Sequence, residues 1–303
     1  MLLDAGVILS LQRFQIVTYV RVGGTALVFV DWLLTLDDEV TYIWSSTGNF
    51  GKTLYFLTRY PAFIDSTLSV YHQVAYSLSA EECALHMRIT GVMVMFGILI
   101  SELILTIRVW ALYDRSRKIT VFLVLFSVIS LAASAVGFIF SGRAETFTAM
   151  KDISSSVPGC YPHDITNAIF IAPVILTVGL SVIFALTMVK ALQYHKKGTT
   201  SFLRVFFCGG IIYFAVLQAI SIGNWMIFFL HIEEYTFLLT NLQRSMHSIL
   251  SARILLDMRR EAAKTTTAGC TFDDSDEYPV ASAADRRANV GNSLEHDVFR
   301  DEC

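Results

Sequence analysis

Along the first 260 residues, long apolar runs alternate with short polar breaks. Seven runs lie near 16–36, 53–77, 88–112, 119–141, 165–192, 203–230 and 233–256. Each is long enough for a helix crossing a hydrocarbon core about 30 Å thick, which takes roughly 20 residues. The pattern predicts an all-α integral membrane protein, a bundle of seven transmembrane helices over residues 1–260. The second run, LYFLTRYPAFIDSTLSVYHQVAYSL, is the least apolar, with Arg59, Asp65 and His72. Such residues are tolerated inside a membrane when they face the bundle interior, so the opposite face of this helix meets lipid. The sixth and seventh runs are parted only by the turn HIEEY. Beyond about residue 261 the stretches TTTAG, DDSDEY and SAADRRANVGNSLEH nearly lack aromatic and branched apolar residues, which predicts a disordered tail over 261–303.

Lys and Arg in the short loops set the orientation. Arg115, Arg117 and Lys118 follow the third run, Lys196, Lys197 and Arg204 the fifth, and Arg259, Arg260 and Lys264 the seventh. With seven crossings these clusters share one side, the cytoplasm, which puts the N-terminus outside and the C-terminus inside. The opposite loops are poorer, with Arg143 and Lys151 in the fourth. The opening MLLDAGVILSLQRF has an acid where a secretory signal carries its basic region, so the first segment is read as retained.

Composition agrees with a lipid-embedded chain. Hydrophobic residues make up 54% and charged residues 16%, against roughly 25% charged in soluble domains. The net charge of -3, with basic residues in scattered clusters, argues against nucleic acid as a partner and leaves the lipid bilayer as the first one.

Few charges lie within the apolar runs, and each needs company. In DWLLTLDDEVTYIW, Asp37, Asp38 and Glu39 emerge at the inner headgroups, with Trp32, Tyr42 and Trp44 in the interfacial belt. At 1.5 Å per residue, Asp31 sits roughly 8 Å deep and Arg59 about 10 Å from the inner face. Glu102 falls near mid-membrane and Arg108 near the inner end of the third helix. These four predict a polar knot of ion pairs, with Asp31 or Glu102 against Arg59; it either holds helices together or marks a working site.

The same residues carry a resemblance. The pattern Y-D-x-x-L-T-x-x-x-E-V-x-x-I-W followed by R-Y resembles the N-terminal domain of a family of multi-pass membrane proteins of unknown function from mushroom-forming fungi. The matching positions are Asp31, Leu34, Thr35, Glu39, Val40, Ile43, Trp44, Arg59 and Tyr60, within a signature region of about 16–65; Val30 stands where the aromatic is usual. RVWALY at 108–113 and SARILLDMR at 251–259 extend the likeness. It implies a seven-helix integral membrane protein and supplies no mechanism.

Two of five cysteines, Cys83 and Cys160, fall on the outer side, where a disulfide is permitted. Their placement, before the third helix and in the loop before the fifth, looks like the bridge of many G-protein-coupled receptors. Two alternatives stay open: a four-ligand zinc site from Cys83, His86, Cys160 and His163, or free thiols. Cys208 reads as packing, and Cys270 and Cys303 lie in the tail.

Polar residues also recur at helical spacing in the last two runs: Gln218, Ser221 and Asn224, then Arg244, His247, Ser248 and Ser251. Residues three or four apart share a face. With Asp65, Ser69 and His72 they would line a cavity for a small ligand, Asp65, His72, Asn224, Arg244 and His247 being the binding candidates; interhelical hydrogen bonding explains the same pattern. Pro61 and Pro173 do not occupy the matched positions of a transporter's inverted repeats. No HExxH, GxSxG, P-loop or glycosylation sequon occurs, so neither enzyme activity nor a cofactor is expected.

The leading expectation is a receptor-like protein that senses an unknown small ligand and engages a cytoplasmic signalling protein. It lacks the N-P-x-x-Y and C-W-x-P motifs of the largest receptor class. A solute or proton carrier using Asp31, Arg59, Asp65 and Glu102 is the alternative, followed by a scaffold acting through the tail and a zinc enzyme on the outer face.

Overall fold

A computed structural model describes residues 5–46, 50–76, 78–144, 146–149, 159–163, 171–196, 201–229, 235 and 237–272. Within them lie seven α-helices: α1 Ala5–Glu39, α2 Phe50–Val74, α3 Ala80–Leu112, α4 Arg117–Ala144, α5 Ile171–Lys196, α6 Ser201–Phe229 and α7 Thr240–Phe272. Lys151, Lys197 and Cys303 lie outside the described residues, as do most of the HIEEY turn and the side chains of Arg143, His163, Lys196, Arg204, Cys208 and Cys270. The chain divides into two units, Met1–Arg260 and Glu261–Cys303.

Among the described residues, four helices are long and apolar enough to cross a bilayer: Ile8–Trp44, Ala80–Leu112, Arg117–Phe140 and Ile171–Gln193. A shorter apolar stretch, Ile211–Ile227, lies in α6. These make the chain an integral membrane protein whose helices contact lipid. On α4, Val121, Val124, Leu125, Val128, Ile129 and Ile139 are all exposed, a surface that water would penalise and acyl chains accept. Polarity is segregated inward instead: Arg21, Asp31, Glu39, Arg59, Asp65, His72, Arg244 and His247 are all buried.

The core shows why the helices form one bundle. Val28, Ala62, Leu105 with Val109, Leu123, Leu180 with Ile183, Phe214 with Leu217, and Ile249 with Ile254 form a single cluster, so every helix contributes. The ends of α3 are set by local chemistry. Ser79 Oγ accepts from the Glu82 backbone while Glu82 Oε2 accepts from the Ser79 backbone at 2.7 Å, a reciprocal cap. At the other end, Asp114 (φ 52°) and Arg115 (φ 56°) turn left-handed and reverse the chain into α4.

Three features depart from the sequence expectation. α1 continues into a π-helical turn, Val40–Trp44, in which each backbone bond spans five residues rather than four. Just before it, Glu39 follows Asp31 and Thr35 at steps of four on the same face of α1 and is fully buried in the bundle instead of out at the headgroups. Second, the connection between α4 and α5 holds an antiparallel ladder, β1 Thr146–Ala149 with β2 Cys160–His163, pairing Thr146 with His163 and Ala149 with Cys160. Third, α7 runs on to Phe272, past residue 261 where a tail was expected to begin.

β2 enters through Gly159 (φ +104°), whose amide donates to the Ala75 carbonyl at 3.0 Å. A Cβ there would overlap the Gln73 carbonyl, so only glycine lets the strand approach the end of α2 this closely. The next residue, Cys160, is joined to Cys83 by a disulfide, with 5.7 Å between their Cα atoms. Both sulfurs are therefore spent, and the zinc alternative loses its two thiolates. His86 packs edge-on against Tyr71.

Candidate functional site

α7 organises the polar interior. Counting along it, Asn241 donates to the Arg21 carbonyl of α1 (3.1 Å), Gln243 donates to Ser221 of α6 (2.8 Å), and Arg244 pairs with Asp65 of α2 (2.9 Å). Further on, Ser248 donates to the Thr58 carbonyl of α2 (2.8 Å), Arg253 pairs with Asp31 of α1 (2.6 Å) and Arg260 holds Asp38 (2.6 Å). From Asn241 to Arg260 this row spans roughly 28 Å, close to a hydrocarbon core.

The densest part lies at the Asp31 end. Arg59 Nη1 meets Asp31 Oδ2 at 2.7 Å and Nη2 donates to Thr35 Oγ1 at 2.6 Å, while Arg253 takes the other Asp31 oxygen. Glu39 accepts from three aromatic donors: Trp44 Nε1 at 3.0 Å, Tyr60 Oη at 2.8 Å and Tyr55 Oη at 2.9 Å. Trp44 lies five residues beyond Glu39, the spacing that a π turn stacks. Two acids, Asp31 and Glu39, face two bases, Arg59 and Arg253, so the knot is neutral and every carboxylate oxygen has a donor.

Above the knot lies a second pair. Asp65 and Arg244 are both completely sealed, and the guanidinium lies against Gly97 of α3, where a Cβ would overlap it. Arg244 Nη1 and Nη2 and both ring nitrogens of His247 are without hydrogen-bond partners. Nearby, Thr58 and Ser101 share a hydrogen bond of 2.8 Å between α2 and α3. Nearer the disulfide, Arg21 donates to Gln73 Oε1 at 3.0 Å and lies 3.4 Å from His72 Nε2.

The predicted residues thus separate into places. Asp31 and Arg59 meet. Glu102 does not join them, because Ser101 already faces α2 and each residue turns the helix by about 100°, so Glu102 looks toward α5. Arg108 is buried on α3 with Asp257 and Tyr213 as electrostatic neighbours. Asp65, His72, Arg244 and His247 are buried and are not among the residues lining the cavity described below, and Asn224 is hydrogen-bonded to Gln243. Sequence reading passed over Arg21, Tyr55 and Arg253, although Arg21 and Arg253 were findable as charges flanked by apolar residues.

A cavity of about 520 Å³ does exist, between α3, α4, α5, α6 and α7. Its walls are mainly apolar, with Met95, Leu99, Phe126, Phe138 and Leu176, and its polar groups include Ser130, Ser134, Asn224, Gln243 and Glu102. Size and lining match sites that hold small molecules.

The profile of a family of unknown function (DUF6533) matches residues 19–64. That stretch carries Asp31, Glu39, Tyr55, Arg59 and Tyr60, the α1 and α2 side of the knot. No curated protein matches the chain.

Proposed function

We propose that this is a receptor-like membrane protein of seven crossings, N-terminus outside and C-terminus cytoplasmic, which takes a small ligand into the α3–α7 cavity. The observation that carries the reading is the continuity of α7. Gln243 lines the cavity and holds Asn224 and Ser221, and the adjacent Arg244 begins the row of ties that ends at Asp38. A ligand that displaces Gln243 therefore acts on a helix anchored at the far end of the bundle. A change in α7 there would meet the basic clusters Arg115–Lys118 and Arg259–Arg260, a surface suited to a cytoplasmic signalling protein.

The cavity reading is tested with 4-phenylbutanol, by equilibrium dialysis against the full-length protein in phosphatidylcholine nanodiscs. Saturable binding is expected, and Ser130→Trp, which fills the cavity wall, should remove the saturable part and leave lipid partitioning. Identical isotherms for the two proteins would sink it.

The orientation rests on the loop charges and on the disulfide, whose compartment must be oxidising. Peptide mapping of protein isolated with thiols blocked and no reductant should return a linked Cys83–Cys160 peptide. Recovery of both as blocked thiols would remove that support for placing this end outside.

A further inference from the structure

Among the described residues, Glu102 is a buried acid that the ties of the polar interior leave out. Its Oε1 is buried and has no hydrogen-bond partner, whereas both carboxylate oxygens of Asp31 and of Glu39 have donors. The carboxylate lies beside Gly179 of α5, where an added Cβ would come within 3.4 Å of Oε1, and Phe126 of α4 borders the same spot. Glu102 also lines the cavity, so the orphan oxygen has open volume beside it.

The rest of the cavity narrows the chemistry. Among the lining residues the other charge is Arg88, which has an interaction of its own and lies fourteen positions back along α3, roughly 21 Å along the axis. The walls are mainly apolar and also supply hydroxyls, among them Ser127, Ser130 and Thr106. A buried carboxyl group in such surroundings is matched best by a basic amine, because the two together make a charge-assisted hydrogen bond for which little water competes. The apolar remainder calls for a hydrocarbon body.

We infer that the cavity's ligand is a small organic cation, an amine with an apolar body, whose ammonium group sits on the Glu102 carboxylate. This deepens the cavity reading and rests on it. Glu102 fixes the charge of the ligand, and Phe126, Leu99 and Leu176 accept its body.

The test compares 4-phenylbutylamine, charged at neutral pH, with 4-phenylbutanol, its neutral analogue of matching length, by dialysis against the same nanodiscs. The wild-type protein should bind the amine roughly tenfold to a hundredfold tighter than the alcohol. Glu102→Gln, which keeps the shape and removes the charge, should bring that ratio close to one. Equal affinities in the wild type, or a preference that survives Glu102→Gln, would overturn the cation inference and leave the cavity standing, since the alcohol would still bind saturably. If neither compound saturates, cavity and cation fall together. The wild-type comparison needs no variant, so misfolding of Glu102→Gln would not protect the inference.

Discussion

Asp65→Ala should cost the bundle about 3–5 kcal/mol, read as a large drop in the thermal midpoint in detergent micelles, while Asp65→Leu combined with Arg244→Met should recover most of it. The asymmetry follows from where the pair sits. Both side chains are fully buried, and Asp65 is the acid that Arg244 meets, at 2.9 Å. Removing the carboxylate alone strands a guanidinium against Gly97 and His247 in a medium where water cannot reach it. Removing both charges leaves apolar groups of similar length, a replacement that buried ion pairs often tolerate. A single variant within about 1 kcal/mol of wild type would mean that Arg244 finds solvent, against its burial.

The second large effect belongs to Arg59. It bridges the Asp31 carboxylate and the Thr35 hydroxyl, with Glu39 at 3.9 Å, and is almost completely buried. Arg59→Ala leaves two acids facing Arg253 alone, and a loss of about 3–5 kcal/mol is expected. The neighbouring pairs should grade with exposure. The Arg253 side chain is 40% exposed and the Arg260 side chain 43%. Arg260→Ala, whose pair with Asp38 is open to solvent, should cost no more than about 1 kcal/mol and lose even that in high salt. Equal losses at Arg59 and Arg260 would show that burial does not set the strength of this knot.

Much of this was readable from residue types, and what was not has a geometric cause. An arginine in an apolar run must find an acid, so Arg59 could be named as paired from sequence. The choice of Asp31 over Glu102 depends on helical phase, which Ser101 fixes by facing Thr58. Glu39 was grouped with its neighbours Asp37 and Asp38 as a headgroup acid, although steps of four from Asp31 through Thr35 put it on their buried face. The polar rows on α6 and α7 were visible at their spacing, yet spacing does not distinguish a lining from a seam. Asp65, Arg244 and His247 form the seam, and only Asn224 of the proposed binders reaches the cavity. The cavity is lined jointly by residues of α3 to α7, an arrangement that no single helix encodes.

Finally, the ties of α7 bear on how the chain is made. Asp65 finds Arg244 across 179 residues, and Asp31 and Asp38 find Arg253 and Arg260 across 222. A ribosome feeding α1 and α2 into the bilayer therefore delivers Asp38 and Asp65 before their α7 partners are translated, and Asp31 with only Arg59 of its two. Until the last helix arrives, the nascent chain has reason to stay beside the insertion machinery, where a polar environment shelters those carboxylates. Loss of the stretch of α7 from Arg253 to Arg260 would then be a defect of the first helix as much as of the last.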